Sequence, residues 1–351
     1  MPDFFKFWNR LSLSRDMGID LGTANTLIYV SDRGIVLEEP SVVAIDQNKN
    51  PVAVGTEAKK MLGRTPGHVV ALRPLRDGVI ADFNICMIML AEFINRAYEG
   101  NPLGNPRIVI GIPSGITEVE RRAVIAAAKQ AGASQVGLLE EPIAAALGAG
   151  LPVDEATGNM IIDIGGGTTE VAVLSLDGTV VSESLRVAGD EFTESIMQHL
   201  KKVHNLIIGE RTAEEIKIRL GSAYPKGGAT NEATMEVRGL HIVSGLPRTI
   251  KIESQEISES MEEPVAAIVE AVKRTLERIP PELAADIIDR GIMIAGGGAL
   301  LKGIDTRISH ETGIVTHIAE DPLRCVVKGT GEVFKNPKFL ERVLSESANW
   351  T

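Results

Sequence analysis

Apolar residues recur along this chain in two rhythms. Short, wholly apolar runs such as RIVIGI at 107–112 and VGLL at 136–139 predict strands buried on both faces. Residues 17–30 (MGIDLGTANTLIYV) read as two strands joined by a small-residue turn at Gly22, the signature of a hairpin. Further strand pieces fall within 35–54. Apolar positions three and four apart predict helices at 81–98, 117–132, 191–204, 212–222 and 264–278. Shorter helices are expected at 56–63 and at the alanine-rich 142–150. The stretch 223–233 (AYPKGGATNEA) is the clearest loop, 234–253 is strand-rich, and a strand at 291–295 feeds Gly296-Gly297-Gly298. Alternating strands and helices make the chain α/β.

The scheme restarts once. Residues 159–176 (NMIIDIGGGTTEVAVLSL) repeat the strand, glycine-rich turn and strand of 17–30, about 140 residues later. In each copy an aspartate near the end of an apolar strand precedes a Gly/Thr turn. Two copies predict two similar α/β lobes rather than a solenoid, which needs several copies at a short period.

Composition narrows the chemistry. The 351 residues are 44% hydrophobic and carry a net charge of −11. That charge, with only 4% aromatics, argues against nucleic acid, whose phosphates need a basic face and whose bases need stacking platforms. Cys86 and Cys325 form no metal or disulfide pattern and suit a reducing cytoplasm. The six histidines show no metal-ligand spacing, and His68 and His204 read as surface or core residues. No run of 18 apolar residues offers a membrane-spanning helix.

The N-terminus (MPDFFKFWNRL) is different. On a helix, Phe4, Phe7, Trp8 and Leu11 share one face with Phe5 at its edge, opposite Asp3, Lys6, Asn9 and Arg10. It lacks the apolar core and small-residue cleavage site of a secretory signal. Two readings follow: a helix docked on the protein body, or an in-plane membrane anchor with its aromatics in the headgroup layer and Lys6, Arg10 and Arg15 near anionic lipid. The anchor is the working expectation for residues 1–15.

The two glycine turns carry the chemistry. In Asp20-Leu21-Gly22-Thr23-Ala24-Asn25 and in Asp163-Ile164-Gly165-Gly166-Gly167-Thr168, glycines let the backbone approach an anion and successive N–H groups form a concavity for phosphate oxygens. An aspartate at the strand end can hold Mg²⁺, usually through water. A single glycine hairpin is most often structural; a matched pair can grip a polyphosphate from both sides. No GxxxxGK[ST] occurs, and no GxGxxG opens a helix after the first strand. The turn at 296–298 lies too late in the chain for a nicotinamide-binding first βα unit.

The two hairpins, Glu140-Glu141-Pro142 and GGGALL at 296–301 together resemble the nucleotide signature of the superfamily of actin, heat-shock chaperone ATPases and sugar kinases. Within it, IDLGTANTLIYV, LGRTPG, RPLRDGVIADF, IDIGGGTTEVAVLSL and IAGGGALLKG are similar to the MreB family of bacterial actins, from about 17 to 343. The resemblance implies a two-lobed ATPase with a duplicated mixed-sheet core, helices on both faces and nucleotide in the cleft. Its first lobe would comprise 16–150 and 316–351, with a small subdomain at about 33–67. The second would comprise 151–315, with a small subdomain at about 187–245.

The resemblance also implies roles. Gly22, Thr23, Ala24 and Asn25 would line one phosphate loop and Gly165, Gly166, Gly167 and Thr168 the other, with Asp20 and Asp163 holding Mg²⁺ through water. Glu141 would orient or deprotonate the water attacking the γ-phosphate, helped by Thr168 and by Asp163 through the metal. On its own, Glu141 also reads as a first-turn carboxylate favoured by the helix dipole. Glu214, Lys217, Gly296, Gly297, Gly298, Ala299 and Leu300 would surround adenosine, although Glu214 and Lys217 alone are an ordinary i,i+3 pair.

The family's Gly-Gly-Asp-x-x-Asp reads Ala188-Gly189-Asp190-Glu191-Phe192-Thr193 here. Gly189 and Asp190 stay among the nucleotide-binding candidates, but the second carboxylate is replaced. The family's membrane loop maps to 101–104, where only Leu103 is large and apolar. ATP, Mg²⁺, self-assembly into protofilaments, the inner face of the cytoplasmic membrane, a transmembrane adaptor and cell-wall elongation proteins are the implied cofactors and partners. The expected function is a filament that maintains rod shape. A monomeric sugar-kinase-type phosphotransferase and a chaperone-type ATPase module are the alternatives. The first lacks a recognisable base motif for a sugar hydroxyl, and the second lacks a client-binding domain.

Overall fold

The computed structural model describes residues 16–98, 105–224 and 233–348. The chain divides into two compact units, Met1–Gly148 with Val326–Thr351, and Ala149–Cys325.

The first unit is built on β1 (Met17–Leu21), β2 (Asn25–Val30), β3 (Gly34–Pro40), β9 (Arg107–Ile112) and β10 (Gln135–Glu140), in the order β10-β9-β1-β2-β3. The strands β10, β9 and β1 run parallel, whereas β1-β2-β3 is an antiparallel meander. A smaller sheet of β4 (Val43–Asp46), β5 (Pro51–Val54) and β6 (Val69–Leu72) carries α1 (Thr56–Met61), and a short ribbon pairs β7 (Leu75–Arg76) with β8 (Val79–Ile80). The helices α2 (Phe83–Ala97) and α3 (Glu118–Gln130) follow, and α4 (Glu141–Gly148) continues directly from β10. Asp82 caps α2 by accepting from the Ile85 N–H (3.1 Å). Thr117 and Glu120 form a reciprocal capping box on α3. Met17, Ile19, Ile108 and Ile110 face the apolar sides of these two helices, Phe93 and Ile125 among them, in one buried core.

The second unit repeats the plan. Its β11 (Asn159–Ile164), β12 (Thr169–Ser175), β13 (Gly178–Leu185), β17 (Ile292–Ala295) and β18 (Thr316–Ile318) are ordered β13-β12-β11-β17-β18. Again three strands run parallel and a three-strand meander is antiparallel. The small sheet is β14 (Leu206–Ile207), β15 (Thr234–His241) and β16 (Pro247–Glu253). The helices are α5 (Gly189–His204), α6 (Glu210–Leu220), α7 (Ser254–Ser260), α8 (Glu262–Glu277), α9 (Pro281–Arg290) and α10 (Ile304–Thr312). Phe192, Ile196 and Leu200 of α5 and Ile268 and Val272 of α8 pack on Met160, Ile162 and Ile164. Because β18 pairs with β17, residues 316–325 stay with this unit rather than returning to the first at 316.

The chain then re-enters the first unit through α11 (Cys325–Glu332) and α12 (Pro337–Ala348). These cover the sheet face opposite α2 and α3, and the duplicated mixed sheet carries helices on both faces as expected. Close approach there rests on missing side chains. A Cβ on Gly137 would lie 2.8 Å from Val343 Cγ1, and one on Gly329 would collide with the Ala144 carbonyl. Both cysteines are free and buried. The described residues contain no helix long and apolar enough to cross a membrane. Phe4, Phe5, Phe7, Trp8 and Leu11, the expected membrane-facing residues, and Leu103 lie outside the described residues.

Candidate functional site

In the first unit, β1 and β2 place Asp20 in antiparallel register with Leu27 and in parallel register with Gly111 of β9. Burial pushes the Asp20 carboxyl up from 3.8 to about 7, the direction expected when desolvation penalises the charged form. The turn is held from below. The Ser41 hydroxyl donates to the Gly22 carbonyl (2.6 Å) and the Ser41 N–H to the Ala24 carbonyl (3.1 Å). Thr23 is buried, and its hydroxyl accepts from the Gly78 N–H (3.1 Å). Gly22 leaves no room for a side chain, since a Cβ would lie 2.6 Å from the Asn25 carbonyl oxygen. Glu141 opens α4 just past β10, with its Cγ 3.6 Å from the point a Gly111 Cβ would occupy. One strand end therefore brings Asp20 and Glu141 to the same glycine.

In the second unit the equivalent residue, Asp163, is buried in register with Glu170 and Ala295. Its turn closes through the Gly165 N–H on the Thr168 carbonyl (2.8 Å). The start of α5 docks on this turn, with Gly189 N–H on the Gly165 carbonyl (3.2 Å) and Asp190 N–H on the Gly166 carbonyl (2.7 Å). Gly296 is required twice over. Its φ is +80°, and a Cβ would strike the Ile164 carbonyl and lie 2.5 Å from Asp163 Oδ1. Gly297, Gly298 and Ala299 continue as a 3₁₀ turn to Leu300, which is exposed while Ala299 is buried.

Glu214 and Lys217 sit on α6 against the first turn of α5. Lys217 Nζ donates to the Gly189 carbonyl (2.8 Å), to Thr193 Oγ1 (3.0 Å) and to Glu214 (2.7 Å). Thr193 places its hydroxyl 2.9 Å from Glu214 Oε2. Glu214 and Lys217 thus meet the first turn of α5 at Gly189 and Thr193. The second unit therefore gathers Asp163, Gly165–Thr168, Gly189, Asp190, Glu214, Lys217 and Gly296–Gly298 into one neighbourhood. Sequence reasoning missed the supporting residues Ser41 and Gly111, which bear on the first turn from strands distant in sequence and have no local signature.

Each turn, taken in its own unit, has the chemistry to receive an anion and a divalent cation. Two glycine-lined backbone cradles suit phosphate oxygens. An aspartate held at about 7 by burial gains from a nearby cation, which favours its charged form. The MreB/Mbl protein family matches residues 14–342. The chain is 53% identical over 324 residues to the cell shape-determining protein Mbl of Bacillus cereus, covering 92% of this chain and 96% of that one. It is 52% identical over 328 residues to the cell shape-determining protein MreB of Escherichia coli, covering 92% and 94%. Among solved structures, Spiroplasma citri MreB5 bound to AMPPNP superposes with a TM-score of 0.88 at 40% identity, over 94% of this chain and 99% of that chain. The same protein bound to ADP matches equally well. The MamK double helical filament, at 22% identity and a TM-score of 0.78 over 92% and 99% of the two chains, shares the fold.

Proposed function

The chain belongs to the MreB/Mbl protein family, and from that premise we propose that it is an actin-like cell-shape protein that binds and hydrolyses ATP and assembles into filaments on the inner face of the cytoplasmic membrane. The observation that carries the reading is the duplication: two sheets of matching topology, each ending in an aspartate and a glycine turn at the same register position. The nucleotide-bound state of MreB5 supports a nucleotide as the ligand.

In this reading Gly22–Asn25 and Gly165–Thr168 hold phosphate oxygens through backbone N–H groups, and Asp20 and Asp163 would hold Mg²⁺, which would supply positive charge against that developing on the phosphates. Glu141 orients or deprotonates the attacking water, with the Thr168 hydroxyl helping to place it. Gly189, Asp190, Glu214, Lys217 and Gly296–Leu300 surround the nucleoside. The N-terminal segment 1–15 attaches the polymer to anionic lipid, with Leu103 as a second contact, and a transmembrane adaptor links it to cell-wall elongation.

The test is ATP-dependent pelleting of the purified full-length chain, with electron microscopy on lipid vesicles. Filaments above a critical concentration, with no sugar acceptor required, are expected. A chain that stays monomeric, or that turns over ATP only with a sugar present, overturns the reading.

A further inference from the structure

Away from the nucleotide neighbourhood, the far end of α5 holds a polar cluster of a different kind. His199 Nε2 lies 2.8 Å from Glu256 Oε1, and His204 Nε2 lies 2.6 Å from the same oxygen. The two histidines come from the last turns of α5 and Glu256 from α7, and their three donor atoms all fall within 4.8 Å of one another. From this convergence we infer that His199, His204 and Glu256 form a binding site for a divalent cation of the zinc class, clipping the C-terminal end of α5 to α7.

The donor chemistry selects the ion. Two imidazoles and one carboxylate suit Zn²⁺ and its first-row neighbours, whereas Mg²⁺ and Ca²⁺ take oxygen ligands. Zinc binds nitrogen at about 2.0–2.1 Å and carboxylate oxygen at about 2.0–2.2 Å, so tetrahedral donors stand roughly 3.4 Å apart. The two Nε2 atoms therefore need to retreat from Oε1 by less than ~1 Å for an ion to enter. Both nitrogens keep their lone pairs for the metal once their protons sit on Nδ1. The fourth position is left for water.

The scaffold is preorganised for this. Leu200, Leu206 and Ile257, which flank the three ligands in sequence, are fully buried, so the backbones carrying the ligands are fixed. The ligands themselves stay reachable: their side chains are 24%, 27% and 24% exposed for His199, His204 and Glu256. Before folding, these ligands are scattered, since His199 and Glu256 are 57 positions apart, which is why the sequence shows no metal spacing.

The test is titration of untagged, nucleotide-free full-length protein with Zn²⁺, followed by calorimetry and competition with a chromogenic chelator. One ion per chain is expected, bound more tightly than ~1 µM. His199→Gln and His204→Gln should each weaken binding by more than the ~10–100-fold that loss of an outer-shell partner costs. Asp163→Ala should leave zinc affinity unchanged. Co²⁺ in place of Zn²⁺ should give the intense visible bands of a tetrahedral site. Glu256→Gln provides the same reading if a histidine variant fails to fold by circular dichroism. The inference is overturned if the histidine variants bind zinc as tightly as the parent, if no ion binds at micromolar concentration, or if Asp163→Ala abolishes binding. A purely octahedral Co²⁺ spectrum also overturns it.

Discussion

Asp20 offers the sharpest quantitative prediction, because its burial sets stability against function. Moving its carboxyl from 3.8 to about 7 corresponds to about 4 kcal/mol at ~1.4 kcal/mol per pH unit. Asp20 keeps partial solvent contact, so that figure is an upper bound. For an acid whose folded value is raised, the stabilising contribution is complete below 3.8 and is lost as pH rises to about 7. Asp20→Asn removes the buried charge while keeping the shape. Relative to the parent, the nucleotide-free variant should gain stability steadily between pH 4 and 7 and hold that gain above pH 7. Urea melts of both proteins across this range measure the difference directly. The same substitution should weaken Mg²⁺-dependent nucleotide binding. In the parent, binding near pH 7 should release protons, seen by calorimetry in buffers of different ionisation enthalpy. A stability difference that is the same at pH 4.5 and pH 8 refutes the reasoning.

Three further outcomes are expected. Glu141→Gln should retain nucleotide affinity and slow ATP hydrolysis by ~10²–10⁴-fold, and equal phosphate release by variant and parent would remove Glu141 from the chemistry. Gly296→Ala forces a side chain into a left-handed backbone position and against Ile164 and Asp163. It should cost ~1–3 kcal/mol in strain alone, visible as a lowered melting temperature together with weaker nucleotide binding; an unchanged melt contradicts the packing described. Deleting residues 1–11, or changing Phe4 and Trp8 to Asp, should release the polymer from anionic liposomes in flotation while leaving ATP binding intact. Continued flotation of the deletion would make that segment structural.

Where the sequence carried its own local reason, it could be read. RIVIGI is apolar because β9 is covered on both faces, and the two glycine turns stand out because a polyphosphate cradle admits no side chains. The C-terminal helices 325–332 and 337–348 are absent from the sequence-based expectations. In α11, Gly329 and Gly331 lower helix propensity, yet each is demanded by a neighbour, the Ala144 carbonyl and the Tyr29 ring. Tertiary contact overrides propensity there, and no window of sequence contains that contact. The placement of 316–325 escaped for a similar reason: β18 is three residues long and is identified by its pairing with β17. The contacts of Thr193 with Glu214 and Lys217 of α6 likewise join positions more than 20 residues apart. The convergence of His199, His204 and Glu256 depends wholly on folding.

The discontinuity of the first unit has a consequence for how the protein is made. Its edge strand β10 is finished only by α12, where Val343 packs over Gly137 and the Ser347 hydroxyl accepts from the Leu138 N–H (2.8 Å). The second unit, by contrast, is one uninterrupted stretch of chain. On the ribosome, residues 337–348 emerge roughly 200 residues after β10, a lag of about 10–40 s at ~5–20 residues per second. During that interval Gly137 and the β10 backbone stay uncovered, while the second unit itself awaits β17 and β18, whose last residue is Ile318. Both units thus receive their closing elements within the last ~40 residues of the chain, and the uncovered β10 is the surface a chaperone would need to shield until 337–348 arrive.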